Sequence, residues 1–305
     1  MTERVGFIGV GLMGHGMAKN ILRKGWPLTV MAHRNRAPVE DLVAQGAAEA
    51  PTPRALAERS DVVMLCVTAS PQVEAVLLGP GGVAEAARPG LLVVDCSTSD
   101  PASTRRLAAA LAERGIEMAD APVTRGPKDS EAGRLLSLVG GSDAAFGRLR
   151  PILDCYSETV EHFGPCGAGH SAKIANNFIT MGMSCLVTQT MTTAAAAGVD
   201  LDKLARVLLA GSACNVIMQR LMPAVTEGRL DGYQFEIANA MKDAALARDL
   251  AESVGTRIAL NDAVHAVYAE AVAMGHGGDL IAHLFRAREE KHGLRIVGAG
   301  GPSPK

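Results

Sequence analysis

A lysine and two asparagines stand near the start of a long apolar segment, in the stretch GHSAKIANN. Asn176 and Asn177 follow Lys173 by three and four positions, so on a helix the three side chains share one face. The segment SAKIANNFITMGMSCLVTQTMTTAAAAGV has the composition of a buried helix, and hydroxyl side chains continue the polar stripe at Thr180, Ser184 and Thr188. An ammonium group beside two amides indicates a face that lines a cleft or meets a partner. The alternative is a lysine that extends to solvent above locally capping amides.

A glycine-rich loop lies near the N-terminus, in VGFIGVGLMGHGMAKNIL. Gly9, Gly11 and Gly14 form the pattern G-x-G-x-x-G between a predicted strand and a predicted helix, with Leu12 and Met13 inside the loop. The first glycine permits a tight turn, the second lets the backbone approach a pyrophosphate, and the third allows close packing of helix on strand. The helix N-terminus then faces the phosphates with free N–H groups. The pattern predicts a dinucleotide site, and a ligand-free glycine turn is the alternative.

The second strand indicates which dinucleotide would bind. A NAD site usually places an acidic residue about 20 residues after the glycine loop, where it binds the ribose 2′-hydroxyl. The strand LTVMAHRNR has His33 in that place, and Arg34, Asn35 and Arg36 follow. Cationic donors suit a 2′-phosphate, which a carboxylate would repel. We therefore favour NADP(H) over NAD(H) as the cofactor, with solvated surface arginines as the alternative.

The elements that must position these residues follow two different patterns. In the first half, the β-branched runs RVGFIGV, LTVMAH, DVVMLCV, LLVVDCS, IEMADAPV and LLSLVGG alternate with helical stretches. This alternation predicts an α/β fold, with a Rossmann-like, doubly wound parallel sheet. From Ser171 to about Glu290 the periodicity is helical, without a convincing strand. We expect a cofactor domain over 1–166, an all-α domain over 167–292 for substrate binding and oligomerisation, a long helix joining them, and a loose tail over 293–305.

The composition excludes several classes of protein. The chain of 305 residues has a formal net charge of −2, which does not indicate a nucleic-acid-binding surface. Its six cysteines show no CxxC spacing, so we expect buried free thiols in a reducing compartment. No apolar run reaches the roughly 18 residues of a membrane span, and the first residues lack the features of a signal peptide. We predict a cytoplasmic protein without a nucleic-acid or membrane partner.

Five motifs in the right order resemble those of the β-hydroxyacid dehydrogenases, a family that includes 3-hydroxyisobutyrate dehydrogenase and tartronate semialdehyde reductase. The motifs are FIGVGLMGHGMAKNI, DCSTSDPAS, DAPVTRGPKDSEAGRLLSLVGG, GAGHSAKIANN and MKDAALARDLA. The resemblance covers the chain from Val5 to about Leu284. It implies an NAD(P)-dependent oxidoreductase with its active site in the cleft between the two domains. It also implies a homo-oligomer, either a dimer or a tetramer.

The resemblance implies a role for each matching residue. Lys173 would protonate the carbonyl oxygen during hydride transfer and take the proton from the alcohol in the reverse direction, and Asn177 would orient the lysine and the substrate. No metal is then needed. The substrate would contact Ser97, Thr124 and Asn176. The remaining cofactor contacts would be Val67, Thr68, Thr98 and Lys242, with Asp243 orienting that second lysine.

The chain departs from the family pattern at Arg125-Gly126, where two glycines are usual. The arginine adds five hydrogen-bond donors, so we interpret Arg125 as a clamp for an anionic group, with Gly126 beside it. An outward-facing arginine is the alternative. The predicted substrate is a small anionic aldehyde that carries a carboxylate, sulfonate or phosphonate. Two rivals are an imine reductase-like enzyme, whose relatives tend to lack the lysine, and a non-catalytic NADP-binding protein. The second is disfavoured by the presence of Ser97, Thr124, Lys173 and Asn177.

Overall fold

The computed structural model describes residues 2–299. They fall into two compact units, with the boundary between Lys173 and Ile174. The first unit is built on a sheet of six parallel strands: β1 (Val5–Ile8), β2 (Leu28–Met31), β3 (Ala48–Glu49), β4 (Val62–Leu65), β5 (Leu92–Asp95) and β6 (Glu117–Asp120). The strand order is β3-β2-β1-β4-β5-β6. The order reverses its direction at β1, as expected for a doubly wound sheet.

Both faces of this sheet are buried because successive side chains point to opposite sides. In β4, Val62 and Met64 pack in one apolar cluster, whereas Val63 and Leu65 pack in another. The helices of this unit are α1 (Gly14–Arg23), α2 (Ala37–Ala44), α3 (Pro53–Ala57), α4 (Ser70–Leu78), α5 (Pro101–Ala112), α6 (Pro127–Glu131) and α7 (Asp143–Leu153). The predicted α/β class and doubly wound parallel sheet are confirmed.

A second, smaller sheet follows the main one. It contains β7 (Val123–Thr124), β8 (Leu135–Val139) and β9 (Ser157–His162), in that order. Strand β8 is the predicted strand in LLSLVGG, and it pairs antiparallel with β7 and parallel with β9. The segment IEMADAPV therefore divides between the two sheets, with its first part in β6 and its last valine in β7.

Helix α8 (Ala168–Ala196) contains the boundary between the units, as the predicted joining helix should. The second unit continues with α9 (Leu201–Ala210), α10 (Val216–Thr226), α11 (Ile237–Ser253), α12 (Ala259–Ala271) and α13 (Leu284–His292). Its core is built almost entirely from aliphatic and methionine side chains, with Tyr268 and Phe285 as the large aromatic members. The predicted helical C-terminal domain is confirmed.

The distal part of the polar stripe on α8 has its hydrogen bonds within the helix. Ser184, Thr188 and Thr192 are buried, and each hydroxyl donates to the carbonyl four residues earlier, at 2.9, 2.9 and 2.7 Å. Such back-bonding satisfies a buried hydroxyl without a ligand. The hydroxyls in this half of the helix therefore need neither a cleft nor a partner, contrary to the expectation from the sequence.

The chain beyond α13 packs onto the helical unit. Glu289 accepts hydrogen bonds from the backbone N–H groups of Ile296 (2.6 Å) and Val297 (2.7 Å), and both side chains are buried in its core. This stretch is packed rather than loose. Residues 300–305, the rest of the predicted tail, lie outside the described residues.

Candidate active site

The glycine loop follows β1, and its three glycines meet different surroundings. Gly9 has a φ of +96°, and a Cβ on it would overlap the carbonyl of Cys66. A Cβ on Gly14 would overlap the carbonyl of Gly9. At Gly11 a Cβ would have no atom of the described residues within 4 Å. The fold therefore requires glycine at the first and third positions, whereas the second faces open space into which a ligand fits.

The N-terminus of α1 offers the electrostatics of an anion site. Among the described residues, no side chain caps the helix at Met13, and its first turn contains no acidic residue. The side chain of Leu12, just before it, is 75% exposed. The backbone N–H groups of a helix N-terminus and the positive end of its dipole favour a phosphate at this point. Together with the open space at Gly11, this loop fits the pyrophosphate of a dinucleotide.

The residues after β2 are exposed, from His33 through Asn35 to Arg36. The Arg36 guanidinium already has two partners, because it lies 3.1 Å from a Glu49 carboxylate oxygen and 3.4 Å from one of Glu40. Arg34 forms no ion pair within residues 2–299. Of the two arginines that favoured NADP(H), Arg34 is therefore the one without a carboxylate partner among the described residues.

The ends of β4 and β5 carry a second group of predicted residues. The backbone N–H of Val67 donates to the hydroxyl oxygen of Ser97 at 2.9 Å, so this bond does not use the hydrogen of the hydroxyl. The backbone N–H of Ser97 donates to Asp95 at 2.9 Å, and the Ser99 hydroxyl donates to the other oxygen of that carboxylate at 2.7 Å. Thr68 and Thr98 belong to the same two loops. The structure therefore brings Val67 and Ser97 together at the carboxyl edge of the sheet.

Asp120, at the end of β6, fixes the start of the helix that carries the lysine. Its carboxylate accepts the backbone N–H groups of Gly167 (2.5 Å) and His170 (2.6 Å). The pKa of the Asp120 carboxyl is raised because burial outweighs the opposite effect of His170 and of these two backbone N–H groups. A negative charge is favourable at the positive end of a helix dipole. Our sequence reasoning missed this residue, although an acid at the end of a predicted buried strand needs a partner and was a usable signal.

Arg125 adopts an unusual conformation. Its φ of +79° makes it the one non-glycine residue in the left-handed region among residues 2–299. Its guanidinium donates to Glu158 on β9 and to the carbonyl of Arg134, both at 2.5 Å. The loop of Thr124, Arg125 and Gly126 is thereby tied to the small sheet. In this conformation the guanidinium is bound to a carboxylate of the protein, so a substrate anion would have to replace Glu158.

Lys173, Asn176 and Asn177 share a largely buried face of α8. Lys173 is 8% exposed and Asn177, one turn later, is 5% exposed. The Asn177 amide nitrogen donates to Asp243 on α11 at 2.6 Å, and Asn176 donates to the Asn177 amide oxygen at 3.1 Å. Lys242 Nζ lies 3.3 Å from the same Asp243 carboxylate. The buried Asp243 carboxylate therefore contacts both Asn177 and Lys242, and it fixes the orientation of the Asn177 amide.

Other kinds of site find little support in the described residues. All six cysteines are free thiols. Within residues 2–299, no group of three or more His, Cys, Asp or Glu side chains has the arrangement of a metal site. The same part of the chain contains no helix long and apolar enough to cross a bilayer.

Comparison with known protein families agrees with this geometry. Residues 4–164 match the family described as the NAD binding domain of 6-phosphogluconate dehydrogenase. Residues 167–286 match the family described as NAD-binding of NADP-dependent 3-hydroxyisobutyrate dehydrogenase. The glycine loop and the sheet order thus belong to an NAD(P)-binding protein of the dehydrogenase class.

Individual relatives narrow the class. The chain is 34% identical to a probable mitochondrial 3-hydroxyisobutyrate dehydrogenase of Dictyostelium discoideum over 283 residues, which cover 90% of this chain and 88% of the relative. It is 30% identical to the 2-(hydroxymethyl)glutarate dehydrogenase of Eubacterium barkeri, over 97% of this chain and 98% of that one. The chain belongs to the β-hydroxyacid dehydrogenase family and is an NAD(P)-dependent oxidoreductase.

Solved structures give the same order of likeness. The crystal structure of 3-hydroxyisobutyrate dehydrogenase from Salmonella typhimurium matches with a TM-score of 0.82 and 29% identity, over 93% of this chain and 99% of that one. An imine reductase from Myxococcus stipitatus, a variant in complex with NAD+, covers 94% and 99% of the two chains with a TM-score of 0.61 and 26% identity. The imine reductase is the more distant of the two.

Proposed function

We propose that the protein reduces a small anionic aldehyde to the corresponding hydroxy acid, or catalyses the reverse oxidation, with Lys173 as the general acid or base. One observation carries the proposal. A buried lysine lies one helical turn before an asparagine that a buried carboxylate holds in place. The family relatives named as dehydrogenases of hydroxy acids support the same class of substrate.

The chain's own residues would divide the work as follows. The loop of Gly9, Gly11 and Gly14 would hold the nicotinamide cofactor, which would supply the hydride for reduction and accept it in oxidation. Lys173 Nζ would give a proton to the carbonyl oxygen in reduction and take it back in oxidation, a contribution of roughly 10²–10⁴-fold in general acid–base catalysis. Asn177, held by Asp243, would keep the lysine and the substrate oxygen in register. The Ser97 hydroxyl would donate its remaining hydrogen to the substrate, and Thr124 would supply a second hydroxyl.

The cofactor preference is tested by separating the two arginines. We propose NADP(H), bound at its 2′-phosphate by Arg34. Charge-assisted hydrogen bonds contribute about 1.5–3 kcal/mol each, so Arg34→Ala should lower kcat/KM for NADPH roughly 10- to 100-fold and leave that for NADH nearly unchanged. Arg36→Ala is the matched control and should have a smaller effect, because Glu49 and Glu40 already neutralise Arg36. Equal losses with both cofactors, or none with either, would contradict a phosphate role for Arg34.

The substrate class is tested by initial rates of NADPH consumption with short aldehydes that carry a carboxylate, a sulfonate or no charge. We expect turnover of the anionic members and much slower turnover of the neutral ones. Arg125→Gly should reduce this selectivity, because glycine accepts the φ of +79° but removes the guanidinium. Unchanged selectivity in Arg125→Gly would make Arg125 a structural tie to Glu158 and leave anion recognition to other groups. Equal turnover of neutral aldehydes by the wild type would overturn the proposed substrate class.

The two rival functions give different results in the same assay. An imine reductase would turn over cyclic imines in place of aldehydes. A non-catalytic protein would bind NADPH and turn over neither. The buried Lys173 favours the dehydrogenase, since relatives of the imine reductase type tend to lack this lysine.

A further inference from the structure

His170 is a buried histidine that the proposed chemistry does not use. It lies in the first turn of α8, three residues before Lys173, and its side chain has no exposed surface. Its ring lies among residues from three other elements of the first unit. Nε2 is 3.1 Å from the carbonyl oxygen of Ser97, and Nδ1 is 2.8 Å from the hydroxyl of Thr104 on α5.

The chemistry of the Ser97 carbonyl fixes the role of Nε2. A carbonyl oxygen can only accept, so Nε2 carries a hydrogen and donates it to Ser97. Nδ1 shares a hydrogen bond with the Thr104 hydroxyl, which also donates to the carbonyl oxygen of Asp100 at 3.1 Å. The ring is thus held at both ends and has a single orientation.

Charged groups surround this ring on several sides. Oxygens of Asp95 and Asp120 lie 3.7 Å from Nε2 and 3.6 Å from Nδ1. Cys166 precedes the helix beside Asp120, and burial raises the pKa of that thiol to about 12, so it stays uncharged at neutral pH. Arg105 on α5 lies near Gly167. Both carboxylates lie farther from the ring nitrogens than Ser97 and Thr104 do, so the hydrogen bonds of the ring are those to Ser97 and Thr104.

We propose that His170 is a positioning residue. Its ring fastens the turn after β5, which carries Ser97, to the first turn of α8, the helix that carries Lys173. Ser97 is then held through three of its groups. Its N–H binds Asp95, its hydroxyl accepts from Val67, and its carbonyl accepts from His170. The first two bonds lie within neighbouring strand ends, whereas the bond to His170 joins this turn to the helix that carries the lysine. The effect on catalysis rests on the proposed function, whereas the fastening itself does not.

Amide hydrogen exchange of Val67 and Ser97 tests the fastening without any substrate. His170→Leu removes both ring bonds, and we expect exchange of these two amides to be at least about tenfold faster than in the wild type. His170→Gln carries a donor and an acceptor, so it should restore slow exchange. Thr104→Val leaves the Nε2 bond in place and is the matched control, with exchange close to that of the wild type. Wild-type exchange in His170→Leu, or equally fast exchange in Thr104→Val, would overturn the proposal.

Kinetics then tests the consequence. With an aldehyde that the wild type reduces, His170→Leu should lower kcat about 10- to 100-fold, as expected when a reacting group is displaced by about 1 Å. His170→Gln should recover most of this loss. If His170 only stabilised the fold, His170→Leu and His170→Gln variants with equal melting temperatures would have equal kcat. If the wild type reduces no aldehyde, the proposed function fails, and the exchange result still decides the role of His170. If His170→Leu is folded and has the wild-type kcat, the positioning role is wrong.

Discussion

Lys173→Ala should lower kcat by roughly 10²–10⁴-fold while the affinity for NADPH stays within a few-fold of the wild type. Lys173 is the buried lysine of the proposed site, and without it no group one turn before Asn177 would supply the proton to the carbonyl oxygen. The relevant measurements are steady-state rates with an anionic aldehyde and fluorescence titration with NADPH.

Two further variants sharpen this result. Lys173→Arg keeps a positive charge but places a group there that does not lose its proton, so we expect a loss nearly as large as with alanine. Lys203→Ala removes a lysine that is 74% exposed on α9, and it should have the wild-type rate. Full activity in Lys173→Arg would mean that the site needs the charge rather than the proton. Full activity in Lys173→Ala would remove the lysine from the mechanism.

Gly11→Val should abolish tight cofactor binding and leave the fold intact. The Cβ enters space that is open within the described residues, so the melting temperature should change little. The side chain then occupies the approach of the pyrophosphate to the backbone. Because charge-assisted hydrogen bonds contribute about 1.5–3 kcal/mol each, the loss of even one weakens binding roughly 10- to 100-fold.

Gly9→Ala is the control that separates folding from binding. It introduces a Cβ at a φ of +96° and against the carbonyl of Cys66. The strained backbone and the overpacking together predict a destabilisation of about 2–5 kcal/mol. Thermal melting with and without NADPH should therefore show a stable Gly11→Val protein that gains nothing from cofactor, and an unstable Gly9→Ala protein. A Gly11→Val protein with wild-type affinity would contradict the proposed cofactor loop.

The sequence predicts those parts of this fold in which side chains report directly on burial. Parallel strands buried on both faces appear as continuous apolar runs, as in DVVMLCV for β4. Strand β9 was not predicted, since its sequence SETVEH has Val160 as its one apolar residue and half of the strand is exposed. The division of IEMADAPV between two sheets depends on pairing with β8, and local pattern contains no information about that partner.

The candidate site divides in the same way. The glycine loop was predictable because backbone geometry restricts those positions to glycine, and the spacing of Lys173 and Asn177 follows from the helix alone. The orientation of Arg125 was not, because it depends on Glu158, which is 33 residues away in the chain. Asp120 and His170 were missed for the same reason, since their partners come from other elements.

We propose above all that this chain transfers a hydride between a nicotinamide cofactor and a small anionic aldehyde. The most direct test is reduction of the aldehyde panel with NADPH that carries deuterium at the transferring position, followed by mass spectrometry of the product. We expect an anionic alcohol with one deuterium at the former carbonyl carbon, formed by the wild type and only slowly by Lys173→Ala. Tight binding of the labelled cofactor without deuterium in any product of the panel would contradict it.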